Sequence, residues 1–350
     1  MLHIPCFLLM QGLTNLETFR LYSRHDMRFI WKGLVLSKLT TLEVFKCKRL
    51  THVFTCSMIV SLIQLEVLKI LSCEELEHII AKNDDENDQI LLGDHLQSLC
   101  FPNLCQIEIR ECNKLKSLFP VAMASGLPKL QTLRVSEASQ LLGVCGQDDH
   151  TSPVNVEKEM VLPNLCEIEI RECNKLKSIF PVAMIVSLVQ LKVLKILSCE
   201  ELEQIIARDN DDEKDQILPG DHLQSLCFPN LCEIEIRECN KLKSLYPVAM
   251  ASGLPKLQTL RISEASQLLG VFGQDDHASF INVEKEMVLP NLITLSLEQL
   301  SNIVCFSFGS CDFLFPNLRM LKVHQCPKLT TKFATTPDGS MSAQSEVLLI

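Results

Sequence analysis

The sequence predicts an α/β right-handed solenoid that is curved, with a parallel β-sheet on its concave face and short helices and loops on its convex face. One observation is a duplication, because residues 102–165 recur at 229–292 with only seven of the 64 positions changed. The other is a shorter repeat, L-x-x-[LI]-x-[LIV]-x-x-C-x-x-L-x-x-[LIV]. A unit this short cannot bury its apolar face alone, so it must stack on its neighbours. Stacked arrays of this kind work by presenting an extended surface.

The repeats are expected to fill residues 1–330 as one solenoid, and residues 331–350 are expected to form a flexible C-terminal tail. Most first leucines of the repeats lie 26 residues or 35 to 40 residues apart. A larger unit of four repeats, 127 residues long, therefore recurs about twice. The eleven first leucines are Leu16, Leu39, Leu65, Leu104, Leu130, Leu165, Leu191, Leu231, Leu257, Leu292 and Leu318.

Each repeat is predicted to begin with a strand and to return through a short helix or an irregular turn. The alternation in residues 168–171, with β-branched residues on one side, is typical of a strand. Because successive strands arrive in the same direction, they should pair in parallel. Pro120 before the segment Val121–Gly126, with Gly126 and then Pro128 at its end, predicts a helix of about one and a half turns. Thr55–Leu62 and Pro181–Leu188 occupy the same place in their repeats.

Four acidic insertions are predicted to form flexible loops, because they carry charge and have no apolar periodicity. They lack the glycine and the terminal glutamate of an EF-hand loop, so solvated spacers are favoured over calcium sites. The insertions are Asn83–Asp88, Gln147–His150, Asp209–Asp215 and Gln274–His277.

Composition restricts the class of protein and the compartment. The net charge of −10 argues against nucleic-acid binding, and no run of 18 apolar residues predicts a membrane span. Seven of the 17 cysteines share one repeat position, which is typical of buried thiols, and no N-x-[ST] sequon occurs. Both features favour a reducing, cytoplasmic location. The seven cysteines are Cys47, Cys73, Cys112, Cys173, Cys199, Cys239 and Cys326.

No cofactor, metal or enzymatic activity is predicted. The sequence has no G-x-x-x-x-G-K-[ST] phosphate loop, no paired C-x-x-C zinc spacing, and no marked set of nucleophile and base. The remaining expectation is protein recognition by the outward side of the strands.

The first candidate surface is a column of outward strand residues whose charge alternates strictly. Neighbouring strands should bring each acid beside a base, and such cross-strand pairs contribute about 0.2–1 kcal/mol each. Two interpretations stay open, namely a self-neutralised ladder that supports the sheet and a charged recognition strip for a protein partner. The column is Glu43, Lys69, Glu108, Arg134, Glu169, Lys195, Glu235 and Arg261.

The second candidate surface is the next outward column along the strands. Its first members, Tyr22, Phe45 and Leu71, should form an exposed patch of the kind found in binding hot spots. The same patch could instead dock onto an upstream domain of the same protein. Three arginines are the further partner-binding candidates of this column: Arg110, Arg171 and Arg237.

The repeats resemble the leucine-rich-repeat region of plant intracellular disease resistance proteins, the nucleotide-binding type with a coiled-coil N-terminus. The resemblance is carried by Pro163-Asn164-Leu165, by the positions Ile168, Ile170, Cys173, Leu176 and Ile179 that follow, and by the variant LKVLKILSCEELEQII at residues 191–206. It covers nearly all of residues 10–330.

The resemblance implies a protein partner, which would be a pathogen effector, a guarded host protein or the receptor's own nucleotide-binding domain. The phosphate loop and coiled-coil heptads of that family are missing here, so the chain would be the sensing half of such a receptor. Because a solenoid needs a cap at each end and neither end looks capped, we expect either a further domain upstream or a truncated gene product. The alternative is a leucine-rich-repeat substrate adaptor of a ubiquitin ligase, a class that also uses a cysteine at this repeat position.

Overall fold

A computed structural model describes twelve segments of the chain, and it divides the chain into two compact units, residues 1–165 and residues 166–350. The predicted acidic insertions and the predicted helix at Val121–Gly126 lie outside the described residues. The described segments are 15–30, 36–59, 61–81, 101–120, 127–146, 162–185, 187–207, 228–273, 286–308, 312–329, 332–336 and 339–342.

The described residues of the first unit form two parallel sheets and one short helix, α1 (Cys56–Ile59). Its strands are β1 (Thr18–Tyr22), β2 (Thr41–Phe45), β3 (His52–Phe54), β4 (Val67–Leu71), β5 (His78–Ile80), β6 (Gln106–Arg110), β7 (Ser117–Pro120), β8 (Thr132–Ser136) and β9 (Gly143–Gly146). The main sheet has the order β1-β2-β4-β6-β8, and the smaller sheet has the order β3-β5-β7-β9. Each repeat forms one coil of the solenoid and thus contributes one strand to the main sheet.

The second unit repeats this plan with helix α2 (Val182–Ile185) and a 3₁₀ helix at Val248–Gly253. Its strands are β10 (Glu167–Arg171), β11 (Val193–Leu197), β12 (Glu233–Arg237), β13 (Tyr246–Pro247), β14 (Thr259–Ser263), β15 (Gly270–Gly273), β16 (Glu286–Val288), β17 (Thr294–Glu298), β18 (Cys305–Ser307), β19 (Asp312–Leu314), β20 (Met320–His324), β21 (Lys332–Thr336) and β22 (Gly339–Ser342). The main sheet has the order β10-β11-β12-β14-β17-β20. Two smaller sheets have the orders β13-β15-β18 and β16-β19-β21-β22.

The predicted coil with its leading strand is confirmed in both units. Every main-sheet strand begins two residues after one of the eleven predicted first leucines, and each runs parallel to its neighbour within the unit. Short helices occupy the predicted return segments at α1 and α2. The smaller parallel sheets were not predicted, because their strands of two to four residues are too short to show an alternation.

The C-terminal residues depart in one respect from the sequence expectation. Within the expected flexible tail, β21 and β22 pair antiparallel, and Leu314 of β19 pairs with Thr335 of β21. The flexibility of residues 331–350 stays a prediction.

The core is a stack of the same aliphatic positions, one set from each coil. In β2, Leu42 and Val44 are fully buried while the residues between them face outward. The same alternation holds in the main-sheet strands between β1 and β20, except in β17, where the third residue Ser296 is buried as well. The first leucine of each of these coils is also buried. At the ends, the equivalent residues Phe19 and Val323 are only half-buried. A one-residue slip would turn these side chains out of the core, so burial fixes the register.

The repeated cysteine bonds to the backbone inside this core. The Cys47 thiol donates to the Phe45 carbonyl oxygen at 3.5 Å, and the Cys73 thiol donates to the Leu71 carbonyl oxygen at 3.6 Å. The hydrogen bond with Cys112, together with burial, raises the pKa of Cys73 to about 12. A fully buried, protonated thiol is a poor nucleophile, so the cysteine's role here is structural.

In the repeats that carry the P-N-L sequence, its asparagine ties the coil to the coil before it. The Asn103 amide donates to the Ile63 carbonyl oxygen at 2.6 Å, and the Asn230 amide donates to the Val189 carbonyl oxygen at 2.7 Å. These carbonyl groups lie in the turn that precedes each strand. The asparagine thus satisfies a backbone acceptor that the strand ladder does not reach.

A residue with left-handed backbone conformation ends every main-sheet strand. Lys46 follows β2 with φ 53°, and Ser198 follows β11 with φ 54°. The Lys46 amide donates to the Leu71 carbonyl oxygen at 2.9 Å, so the turn extends the sheet by one further hydrogen bond. None of these eleven residues is glycine or asparagine; they are Ser23, Lys46, Ser72, Glu111, Glu137, Glu172, Ser198, Glu238, Glu264, Gln299 and Gln325.

Replacement of Lys46 by valine should lower the free energy of unfolding by about 1–2 kcal/mol, because a β-branched residue is strained at positive φ. Lys46→Asn is the matched control and should leave stability nearly unchanged, since asparagine tolerates this conformation. Urea denaturation monitored by circular dichroism measures both variants. Equal stability of the two variants would contradict the left-handed turn.

The duplication also exposes one defect in the second unit. Tyr246 is fully buried, its hydroxyl has no hydrogen-bond partner among the described residues, and burial raises the pKa of its phenol. The equivalent residue of the first unit is Phe119, which fills the same place without a polar atom. An unpaired buried hydroxyl costs about 1–3 kcal/mol.

Tyr246→Phe should therefore raise the free energy of unfolding by about 1 kcal/mol, because it removes a buried hydroxyl that lacks a partner. The reciprocal change Phe119→Tyr should lower it by a similar amount. Thermal and urea denaturation of the two variants provide the measurement. A destabilised Tyr246→Phe variant would mean that the hydroxyl is in fact bonded.

Candidate interaction surface

The outward side of each main sheet carries three columns of side chains. In every five-residue strand the first, third and fifth residues face outward, and the parallel register places equal positions side by side. Glu43 lies beside Lys69, for example, and Phe45 lies beside Leu71. The two candidate columns of the sequence analysis are the third and fifth residues of these strands.

The charge column of the first unit forms ion pairs across its strands. Arg20 Nε lies 2.5 Å from Glu43 Oε2, and Lys69 Nζ lies 3.4 Å from Glu108 Oε2. Arg134 pairs with Glu108 in the sheet register. The strands therefore bring opposite charges together as the alternation predicts.

The charge column of the second unit uses diagonal partners as well. Lys195 Nζ lies 3.8 Å from Oε2 of Glu235, its direct neighbour in the register. It also lies 3.3 Å from Oε1 of Glu233, two residues earlier on the same strand as Glu235. Arg261 also takes Glu233 as its partner, at 3.6 Å. Within β10, Arg171 contacts Glu169. The register determines which residues are direct neighbours. The lysine and arginine side chains are long enough to reach a glutamate two residues away from the direct neighbour as well.

These ion pairs lie at the surface and stabilise the sheet only modestly. Lys195 and Glu235 keep 29% and 33% of their side-chain area exposed. Water screens such pairs, and exposed pairs contribute about 0.2–1 kcal/mol. A structural ladder and a recognition strip both remain compatible with this geometry.

Tyr22 and Phe45 form a stacked aromatic pair on the outward side of the first unit. Their ring centroids lie 5.0 Å apart, and the ring planes differ by 11°. Tyr22 is 56% exposed, whereas Phe45 and Leu71 are half-buried, so the patch is less exposed than the sequence suggests. Tyr22, Phe45 and Leu71 are named here the aromatic patch.

Two of the three candidate arginines, Arg110 and Arg237, are already engaged by glutamates that the sequence analysis did not single out. Arg110 Nε lies 3.1 Å from Glu137 and 3.4 Å from Glu111, and in the second unit Arg237 lies 3.2 Å from Glu264. These glutamates occupy the left-handed positions after the strands. The sequence could have identified these glutamates as partners of the arginines only if the left-handed conformation of the turn had been known.

The described part of the chain contains neither a helix that could span a membrane nor a cluster of side chains that could hold a metal ion. Within it, no helix is long and apolar enough to cross a membrane. The same residues contain no group of three or more His, Cys, Asp or Glu side chains arranged to hold a metal ion. What the described residues do present is the outward side of the two main sheets.

Comparison with sequence families gives a match over most of the chain. Residues 12–97, 88–139, 154–200 and 215–342 match the family described as plant disease resistance protein RPS2-like, leucine-rich repeats. No curated protein matches the sequence.

Three solved structures with a distant likeness to this chain are as follows. The pneumococcal vaccine antigen PcpA is 13% identical with a TM-score of 0.30, over 90% of this chain and 70% of that chain. An internalin (inlF) of Listeria monocytogenes is 15% identical with a TM-score of 0.20, over 77% and 89%. The plant peptide hormone receptor RGFR1, in complex with RGF2, is 12% identical with a TM-score of 0.10, over 86% and 79%. At these values the likenesses carry no functional argument.

Lys195→Glu should lower the free energy of unfolding by about 1 kcal/mol, because it removes two ion pairs and places like charges side by side. Lys192→Glu is the control, since Lys192 is exposed and precedes the strand. Urea denaturation at low salt and at about 1 M salt is the measurement, and high salt should shrink the difference. An unchanged Lys195→Glu variant would count against a stabilising ladder.

Proposed function

Because the chain belongs to the family of leucine-rich repeats found in plant disease resistance proteins of the RPS2 type, we propose that it is the protein-recognition region of a plant immune receptor. In this proposal the outward side of the main sheets binds a pathogen effector or a guarded host protein. The same region regulates a nucleotide-binding switch that lies upstream in the receptor. In this proposal the chain binds a protein partner, and this binding changes the state of the upstream switch.

The aromatic patch is the observation that carries the binding half of the proposal. A folded chain gains little by displaying an aromatic pair to water, and 56% of Tyr22 is exposed. Aromatic side chains backed by a rigid scaffold lose little conformational entropy on binding, so they are common anchors of interfaces. The parallel sheet beneath Tyr22 and Phe45 supplies such a scaffold.

The regulatory half follows from the energetics of two-state switches. A partner can shift the upstream switch only by the difference between its affinities for the two states. If the aromatic patch contacts the receptor's own nucleotide-binding domain in the resting state, an effector that covers the patch competes with that contact. Release of the switch is then the consequence of effector binding.

The proposals for the cellular location and for the mode of action rest on the same family assignment. We propose a cytoplasmic location, which the buried, unoxidised cysteines support. We propose that the chain acts by binding a protein, as leucine-rich repeats of this family do. Membership in the disease resistance family favours this receptor role over a ubiquitin-ligase adaptor.

Phe45→Glu should reduce partner capture at least tenfold, because a carboxylate in the aromatic patch loses the stacked ring and adds an unpaired charge. The tagged chain is incubated with plant leaf extract, and the bound proteins are quantified by mass spectrometry.

Ser263→Glu is the matched control, because Ser263 occupies the same strand position in the second unit. It should keep the captured partner. Melting temperatures of both variants should stay close to that of the parent chain, since both side chains face outward. Full capture by a folded Phe45→Glu variant would remove the aromatic patch from the proposal.

A further inference from the structure

Positive charge is concentrated in the first two repeats of the chain. Residues 1–60 contain eight lysines and arginines but three aspartates and glutamates, so their net charge is +5. Residues 61–350 carry a net charge of −15, which gives the whole chain its −10. Seven of the eight basic residues lie in the described segments 15–30 and 36–59, and all seven are exposed: Arg20, Arg24, Arg28, Lys38, Lys46, Lys48 and Arg49. An anionic chain thus presents a cationic surface in its first unit.

Ion pairs within the chain neutralise part of this surface. Three of the seven cations pair with carboxylates, namely Arg20 with Glu43, Arg24 with Asp26, and Lys48 with Glu74. The Lys38 ammonium group donates to the Asn15 side-chain oxygen at 2.7 Å. The other three cations form no ion pair with any of the described residues, and they are named here the cationic edge: Arg28, Lys46 and Arg49. All three lie on the segments that follow β1 and β2.

Lys46 occupies a position at which the other described repeats have no cation. It is the left-handed residue after β2, and the ten equivalent residues after the other main-sheet strands are serine, glutamate or glutamine. After β6, Glu111 at this position pairs with Arg110, the last residue of the strand, at 3.4 Å. Because β2 ends in Phe45 instead of arginine, the ion pair is replaced here by an aromatic ring followed by an unpaired cation.

Lys46 also lies at the margin of the aromatic patch. It directly follows Phe45, and its amide donates to the Leu71 carbonyl oxygen at 2.9 Å. Tyr22, which stacks on Phe45, precedes the equivalent residue of the first repeat, Ser23. An exposed apolar surface and an unpaired positive charge therefore adjoin on the outward side of the first unit.

The loops after β1 and β2 continue this surface. The Thr51 amide donates to the Arg28 carbonyl oxygen at 3.0 Å, so the loops of the first two repeats lie side by side. Phe29 is 47% exposed and stacks on His52, with ring centroids 6.4 Å apart. Along the chain, the cations of these loops thus follow one aromatic pair and adjoin a second.

We propose that the aromatic patch and the cationic edge together bind an acidic segment of a protein partner. An apolar side chain of the segment contacts Tyr22 and Phe45, and a neighbouring carboxylate binds the Lys46 ammonium group. Further carboxylates of the segment bind Arg28 and Arg49 along the loops. This inference rests on the proposed protein-recognition function and specifies the charge of the partner segment.

Charge complementarity favours an acidic protein segment over a nucleic acid as the ligand. A nucleic acid carries a negative charge at every nucleotide and gains its affinity from many phosphate contacts. The cationic edge supplies three cations, and the net charge of −15 on residues 61–350 repels a long polyanion. A short segment that combines carboxylates with an apolar side chain matches both the three cations and the exposed rings.

The probe for the test is a fluorescein-labelled nonapeptide. It has a central leucine, two glutamates on each side of the leucine, and glycine or serine at the remaining positions. Fluorescence polarisation at low salt measures its affinity for the parent chain. One control peptide has lysine in place of each glutamate, another has serine in place of leucine, and an oligothymidine of nine nucleotides represents nucleic acid.

The parent chain should bind the acidic peptide, and replacements of Lys46 should weaken the binding. Lys46→Glu should weaken it about tenfold, because the change turns an attraction into a repulsion. Lys46→Gln should weaken it about threefold, because this change only removes the attraction. Both variants should fold, since five other repeats hold glutamate and two hold glutamine at the equivalent left-handed position.

Lys192→Glu is the matched control, because it makes the same change of charge at an exposed residue of the second unit. It should leave peptide binding unchanged. The serine peptide should bind about threefold more weakly than the leucine peptide, since it lacks the apolar contact with the rings.

Four results would overturn the inference. The first is the absence of binding between the parent chain and the acidic peptide. The second is an equal loss of affinity in Lys46→Glu and Lys192→Glu. The third is equal binding of the leucine and serine peptides, and the fourth is tighter binding of the lysine peptide or of the oligothymidine than of the acidic peptide.

The experiment separates this inference from the proposed function. The Phe45→Glu variant tests whether the aromatic patch captures a partner at all, while the two Lys46 variants test the charge of the bound segment. Loss of capture in Phe45→Glu, together with unchanged peptide binding in Lys46→Glu, would reject the acidic segment and retain the recognition surface.

Discussion

The register between neighbouring parallel strands is the constraint on which the rest of the structure depends. Each main-sheet strand between β1 and β20 buries its second and fourth residues, and a shift by one residue would turn both into water. Around β6, the buried Cys112 thiol after the strand donates to the Arg110 carbonyl oxygen, and the Asn103 amide before the strand donates to the Ile63 carbonyl oxygen, so hydrogen bonds form at both ends of the same segment. With the register fixed, every outward column follows without further information. Recognition by such a surface is a consequence of how the core packs.

Much of the fold could be predicted from the repeat alone. The first leucines located all eleven main strands, because a period-two alternation of buried residues leaves a clear pattern even over five residues. The left-handed residues after the strands could not be predicted, since glutamate, serine and lysine carry no local signal for positive φ. Their conformation is imposed by the hydrogen bond to the next coil. The smaller sheets were missed for a related reason, because pairing with neighbours rather than local sequence creates them.

The sequence predicted which residues lie on the outward side of the strands, but it predicted only some of the ion pairs that they form. The alternating charges identified the strands that meet, yet Lys195 divides its contacts between Glu233 and Glu235, and this choice depends on rotamers. Arg110 and Arg237, which the sequence analysis proposed as partner-binding residues, form ion pairs within the chain. Their partners are Glu111, Glu137 and Glu264. Duplication supplies what a single sequence otherwise lacks, an internal comparison. Differences such as Phe119 and Tyr246 or Gln106 and Glu233 show where one scaffold has accepted two chemistries.

The register itself is tested most directly by engineered cross-links between β6 and β8. Cysteines introduced as Gln106→Cys and Thr132→Cys lie in register, and adjacent strands at about 4.8 Å allow a disulfide. Cysteines introduced as Gln106→Cys and Arg134→Cys are offset by two residues, about 7–8 Å apart, which is too far. Mild oxidation of the folded chain should join the first pair and leave the second pair open. Efficient cross-linking of the offset pair, or of neither pair, would contradict the register.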